Sequence, residues 1–223
     1  MTRTRSGRFA APYMNKVQPV RIEQLEVPDA WVCTPEVHGD ARGAFVEWFR
    51  GDHLAAAIGR TFEPVQANYS QSRRGSLRGL HYALVPPGQA KYVFCTRGAV
   101  LDVIVDIRDG SPSYGAVAAV RLDDESRRAV FLSEGLGHAF CALSETAEVS
   151  YLVSSTYNPV AERTISAVDP ALALPWPDDI GELVLSDRDR AAPTLEEART
   201  AGELPSYDAC RTRYSDLTRA CDL

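Results

Sequence analysis

The segment LRGLHYALVPPGQAKYVF, residues 77–94, places a histidine and a lysine in what otherwise reads as a strand, a turn and a second strand. A histidine with a carboxylate partner acts as a general base near neutral pH. Lys91, on the paired strand, would face the same interior as His81, where an ammonium stabilises an enolate oxygen. Tyr151 would exchange a proton on the opposite face. Together such groups perform proton exchange next to a carbonyl, although singly each residue type is more often structural.

A metal site is the main alternative for His81. Metal sites in β-barrels use a His-x-His pair, a nearby carboxylate and a third histidine, but Tyr82 and Ala83 follow His81. The ammonium of Lys91 would also oppose a bound cation, and His138 adds only one distant ligand. We therefore predict no metal and no other cofactor.

The elements that position these residues are short strands separated by turn residues. This spacing predicts an all-β sandwich or barrel. The predicted strands are 44–49, 65–70, 76–83, 92–96, 100–107, 114–122, 128–132, 139–143 and 148–154. The predicted helices are 52–58, 194–201 and 207–219. We predict a flexible tail over residues 1–16 and one domain over residues 17–223, with a short helical C-terminal extension from about residue 193.

Composition and charge exclude several classes of function. The chain has 223 residues and a formal net charge of −6, which provides no positive field for nucleic acid or an anionic membrane. No apolar run approaches the roughly 18 residues of a membrane helix, and no apolar segment follows the three N-terminal arginines as in a secretory signal. The five cysteines are odd in number and widely spaced, which indicates reduced thiols and a cytoplasmic protein.

Six segments resemble one enzyme family in their order and spacing. They are RGLHY (78–82), the Pro-Gly-Gln-x-Lys run ending at Lys91, GAVLDVIVDIRDGSPSYG (98–115), EGLGHAFCALSE (134–145), YLVSSTYNP (151–159) and LSDRDRAAPTL (185–195). The family is the deoxythymidine-diphosphate (dTDP)-4-dehydrorhamnose 3,5-epimerases, and the resemblance covers about residues 20–195. It implies a metal-free, cupin-like jelly roll, a homodimer, and inversion at C3 and/or C5 beside the C4 ketone of a dTDP-linked 4-keto-6-deoxyhexose, without a cofactor.

The resemblance also implies the catalytic residues. His81 matches the family's base, Lys91 the lysine near the sugar ketone, and Tyr151 the tyrosine acid. The carboxylate partner of His81 matches Asp189, although Asp187 and Asp169 remain alternatives.

Substrate-binding residues follow from the same resemblance. They are Arg42, Phe45, Glu47, Gln66, Asn68, Arg78, His138 and Tyr157. Phe45 would stack on thymine, while Arg42 and Arg78 would pair with phosphate oxygens. The alternative for 38–49 is a solvated turn followed by an ordinary core phenylalanine.

Several positions depart from the family pattern. Leu152 follows Tyr151 where a lysine is typical, Ser133 replaces a proline, and Leu136 replaces a phenylalanine. These variants resemble the antibiotic-sugar branch, in which some members invert only C3 or only C5, so the inverted carbon stays open. A nucleotide-sugar ketoisomerase, a non-catalytic sugar-binding cupin and a metal-dependent cupin remain as alternatives.

Overall fold

The computed structural model describes residues 20–219. These residues form thirteen strands: Arg21–Gln24 (β1), Ala30–Thr34 (β2), Val37–Asp40 (β3), Gly43–Val46 (β4), Gln66–Arg73 (β5), Leu77–Ala83 (β6), Lys91–Arg97 (β7), Ala99–Val105 (β8), Val117–Asp123 (β9), Ala129–Leu132 (β10), Gly137–Ala142 (β11), Thr146–Val153 (β12) and Glu162–Thr164 (β13). They also form four α-helices, Gly51–Ile58 (α1), Asp187–Arg190 (α2), Leu195–Thr200 (α3) and Tyr207–Arg219 (α4), and a 3-10 turn at Asp178–Ile180.

The strands form two main antiparallel sheets and a separate hairpin. The six-stranded sheet has the order β1-β2-β10-β7-β12-β5, the five-stranded sheet the order β13-β6-β11-β8-β9, and β3 pairs only with β4. Apolar side chains from both sheets meet in one core, for example Val93 and Val149 against Ile104 and Leu122. The predicted all-β class is confirmed.

The chain after β13 covers the outer face of the five-stranded sheet. Ile165, Leu195 and Leu204 pack there, and a complete capping box at Thr194 begins α3 as predicted. The buried guanidinium of Arg108 bonds the carboxylates of Asp29 at 2.6 Å and Asp106 at 2.8 Å, beside α4. The helical C-terminal extension is confirmed. No helix within residues 20–219 is long and apolar enough to cross a membrane.

Three predicted strands have boundaries that are wrong by three residues, and one of them, 65–70, ends too early because β5 continues to Arg73. The prediction for 44–49 extends too far because β4 ends at Val46, and Trp48 then stacks on Phe94 at 5.2 Å between ring centroids. The strand predicted for 114–122 begins only at Val117, because Gly115, with a φ of 83°, is held in a turn. The predicted tail, residues 1–16, lies outside the described residues.

Candidate active site

His81 and Asp189 form a hydrogen-bonded pair. The Nε2 atom of His81, on β6, lies 2.7 Å from Oδ1 of Asp189, which is buried in the one-turn helix α2. The Ser186 hydroxyl donates to Oδ2 of Asp189 at 2.9 Å. Burial alone would raise the pKa of Asp189. The hydrogen bond and the charge of His81 act in the opposite direction, as does the hydrogen bond from Ser186, and together they lower the pKa of Asp189. The carboxylate therefore stays ionised and orients the imidazole.

The structure resolves the choice among the three aspartates. Asp189 is the one that contacts His81. The carboxylate of Asp169 instead accepts the backbone N–H groups of Ala171 and Leu195, at 2.9 Å each, and so holds the start of α3. Asp187 is exposed.

A β-bulge at Gly79 turns Arg78 and His81 toward the same face. Three residues apart on a regular strand, these two side chains would point to opposite faces. In the pairing of β6 with β11, however, Arg78 lies opposite Phe140 and His81 opposite His138, so β6 contains one extra residue. Gly79 has a φ of 119°, and a Cβ there would lie 2.5 Å from the carbonyl oxygen of His138. Only glycine fits this position.

Lys91 and Tyr151 come from the opposite sheet. Val153 lies opposite Lys91 and Tyr151 opposite Val93 in the pairing of β12 with β7. Because side chains alternate along a strand, Lys91 and Tyr151 share the inner face of the six-stranded sheet. They therefore face His81 across the interior, and the three side chains line one cavity of about 350 Å³, called here the site cavity. This volume is in the range of small-molecule sites.

Burial shifts the pKa values of Lys91 and Tyr151 in opposite directions. Desolvation lowers the pKa of Lys91, and the charges of Glu162 and then Asp102 oppose that shift. Desolvation raises the pKa of Tyr151, Glu162 raises it further, and Arg78 acts the other way. Tyr151 is therefore a neutral phenol over the physiological pH range and retains a proton to donate.

Five of the eight predicted substrate-binding residues lie at the site cavity or the pocket beside it. Gln66 and Asn68, bonded to each other at 2.7 Å, line the site cavity with Tyr157. Arg78 and His138 line an adjoining space of about 120 Å³ that also contacts His81, Lys91 and Tyr151.

The other three predicted binding residues are not brought to the site cavity within one chain. Arg42, Phe45 and Glu47 lie on or just after the β3–β4 hairpin, away from His81. Phe45 is 65% exposed, so it is not an ordinary core residue. Arg42 pairs with Asp40 of the same hairpin.

Three acidic or basic residues at the site were missed from the sequence. Asp102 is buried and its Oδ2 lies 2.8 Å from Nε2 of His138, on the inner face of the five-stranded sheet. Glu162 and Arg188 line the site cavity from β13 and α2. Alternation along β8 does not say which of its two faces lines the interior, and elements as short as β13 and α2 give little periodic signal. Within residues 20–219, no three His, Cys, Asp or Glu side chains are grouped as a metal site would need.

Comparisons with known proteins agree on one family. The family model for dTDP-4-dehydrorhamnose 3,5-epimerase matches residues 24–197. The chain is 52% identical over 192 residues to a dTDP-4-dehydrorhamnose 3-epimerase of Streptomyces niveus, covering 86% of this chain and 92% of the relative.

Solved structures give the same result. The crystal structure of NovW, a 4-keto-6-deoxy sugar epimerase from the novobiocin biosynthetic gene cluster of Streptomyces spheroides, matches with a TM-score of 0.83 and 52% identity, over 86% of this chain and 95% of that one. ChmJ, a 3'-monoepimerase from Streptomyces bikiniensis in complex with dTDP-quinovose, matches with a TM-score of 0.84 and 47% identity, over 87% and 98%. The predicted cupin-like jelly roll is confirmed, and the chain belongs to the dTDP-4-dehydrorhamnose 3,5-epimerase family.

Proposed function

We propose that this enzyme epimerises C3 and/or C5 of a dTDP-linked 4-keto-6-deoxyhexose without a cofactor. One observation carries the proposal: a hydrogen-bonded imidazole from one sheet faces a lysine and a tyrosine from the other sheet across the site cavity. These are a base, an electrophile and an acid on opposite sides of a space that holds one sugar ring. The relatives with a 3-epimerase or 3,5-epimerase name support the same reaction.

Proton transfer begins at His81 in this proposal. Because Nε2 bonds Asp189, the other ring nitrogen, Nδ1, accepts the proton from the carbon next to the C4 ketone. The C–H electron pair forms the enolate, whose negative charge on O4 is stabilised by the ammonium of Lys91. The phenol of Tyr151 then donates its proton to the opposite face of the same carbon, which restores the ketone with inverted stereochemistry. Proton exchange with solvent returns His81 and Tyr151 to their starting forms.

The nucleotide occupies the polar end of the site cavity in this proposal. Gln66 and Asn68 provide amide groups for hydrogen bonds to the thymine ring, beside Tyr157. Arg78, on the same face as His81, provides a guanidinium for the diphosphate. Structures of related epimerases with dTDP and dTDP-quinovose support a dTDP-linked substrate.

A homodimer completes the binding site in this proposal. The β3–β4 hairpin is exposed along its length, with Phe45 at 65%, and its residues do not reach their own chain's site cavity. An exposed aromatic ring beside an arginine is suited to cover a nucleotide bound by a second copy. Sedimentation measures the dimer directly, and mixing an Arg42→Ala chain with a His81→Asn chain tests the shared site. Activity recovered in the mixture supports it, whereas no recovery in a proven mixed dimer excludes it.

Incubation with dTDP-4-keto-6-deoxyglucose in heavy water tests the proposed reaction. We expect deuterium at C3, at C5 or at both, an inverted product by NMR, and loss of both in the His81→Asn variant. A product with the ketone moved from C4 to C3 would instead identify a ketoisomerase, and tight binding without exchange a non-catalytic cupin. The predicted cytoplasmic location stays a prediction.

A further inference from the structure

Lys91 is a cation held in an unusually dry position. Lys91 is the first residue of β7 and is only 8% exposed. An ammonium without water or a counter-ion loses its proton, which would remove the charge that stabilises an enolate. The titratable and charged groups around it come from six elements and are Arg78, His81, Asp102, His138, Tyr151, Glu162 and Arg188. Only two of these are carboxylates.

Asp102 is bonded to another group through one of its two oxygens. Its Oδ2 lies 2.8 Å from Nε2 of His138, whereas its Oδ1 makes no hydrogen bond within residues 20–219. Of the two carboxylates, Asp102 acts on Lys91 more weakly than Glu162 does.

Glu162 is positioned to supply the remaining negative charge. In the pairing of β13 with β6, Glu162 lies opposite Ala83 and Thr164 opposite His81. Because every second side chain shares a face, Glu162 and Thr164 lie on the face of His81, and Glu162 lines the site cavity with Lys91 and Tyr151. Within residues 20–219, the carboxylate of Glu162 makes no hydrogen bond and no ion pair of its own.

We propose that Glu162 is a positioning residue for the epimerisation: its carboxylate is the counter-ion that keeps Lys91 charged while Tyr151 keeps its proton. The catalytic consequence of this inference rests on the proposed function, but the effect of the Glu162 charge on Lys91 does not. A negative charge near both groups favours the protonated form of each, and Glu162 acts in that direction on both pKa values. One carboxylate thus holds the electrophile and the acid in the states that the reaction needs.

The sequence allows a direct measurement of the Lys91 charge. Lys16 and Lys91 are the only lysines in the chain, so ε-13C-lysine labelling in a Lys16→Arg background leaves a single resonance to follow against pH. We expect Glu162→Gln to lower the pKa of Lys91 by about one unit or more. The matched control is Glu148→Gln, which removes a carboxylate from the far end of β12, where Glu148 lies beside Arg97. This control should leave the Lys91 resonance unchanged, and Glu162→Asp should restore part of the shift.

Activity provides the second readout. In Glu162→Gln, the alkaline limb of the deuterium-exchange profile should move to lower pH by a similar amount. An unchanged pKa of Lys91 in Glu162→Gln would overturn the proposal, whether or not KM is raised. An equal shift of the Lys91 pKa in Glu148→Gln would overturn it as well. If the parent enzyme exchanged no deuterium, the proposed function would fail, whereas the lysine titration would still decide whether Glu162 is the counter-ion.

Discussion

Replacing Asp189 with asparagine should slow epimerisation while leaving the fold intact. The variant keeps the size of the side chain but removes the negative charge that lies 2.7 Å from His81. This charge matters most after proton abstraction, when the imidazole becomes an imidazolium. Asp189 is only 4% exposed, so water screens the pair weakly.

The size of the effect follows from the charge pair. A hydrogen bond to a charged group contributes about 1.5 to 3 kcal/mol, and each 1.36 kcal/mol is tenfold in rate. If the transition state carries most of the imidazolium charge, Asp189→Asn should lower kcat by about 10- to 150-fold. The amide of asparagine also has only one acceptor oxygen, so its NH2 group must face either His81 or the Ser186 hydroxyl, where the carboxylate now accepts from both sides.

The assay is the initial rate of deuterium exchange, followed by NMR for the parent enzyme and for two variants. Asp187→Asn is the matched control, because Asp187 is an exposed carboxylate in the same turn of α2 and does not bond His81. We expect its rate to be within about threefold of the parent rate, since exposed charges contribute little. A folded Asp189→Asn enzyme with the parent rate would refute the assignment of Asp189 as the partner of His81.

Three further predictions test other parts of the structure. Lys91→Met should reduce kcat by about 100-fold or more with the fold retained, measured by product NMR, because no other ammonium faces the site cavity among residues 20–219. Gly79→Ala should lower the free energy of unfolding by roughly 2 to 6 kcal/mol, measured by urea denaturation. Gly59 also has a positive φ, but a Cβ at this position would meet no atom, so Gly59→Ala should lower the free energy of unfolding far less. Burial alone would raise the pKa of Asp106, but its hydrogen bonds with Arg108, Ser113 and Ser111 outweigh burial, so the pKa is lowered. The ionised carboxylate therefore stabilises the folded protein above about pH 4, and this stabilisation is lost on further acidification. Asp106→Asn should therefore flatten the fall of the urea midpoint below pH 4, and an unchanged slope would contradict this reasoning.

The sequence predicted the strands of the core better than the short elements. Alternating apolar residues marked β8 because one face of that strand, with Val103 and Val105, packs under the chain that follows β13. The helix α2 was not predicted, since four residues have no helical periodicity, and yet α2 positions Asp189. The strand β13 was missed for the same reason. It contributes three residues to the edge of the five-stranded sheet.

For the site as well, some features could be predicted from the sequence and others could not. His81, Lys91 and Tyr151 could be proposed from residue type and family resemblance, and the structure places them around one space. Their shared face depends on strand register, and for His81 on a bulge that brings it to the side of Arg78. A sequence pattern does not contain that register. The hairpin residue Phe45 is a further case, because the contact proposed for its exposed ring lies on a second chain and leaves no pattern within one sequence.

The most direct test of the two-faced mechanism is the Tyr151→Phe variant in heavy water. His81 and Tyr151 lie on opposite sheets, so removing the phenol should abolish inversion while His81 still removes and returns the proton on its own face. NMR should therefore show deuterium entering the substrate with its configuration retained. Inverted product formed by Tyr151→Phe at the parent rate would contradict the account.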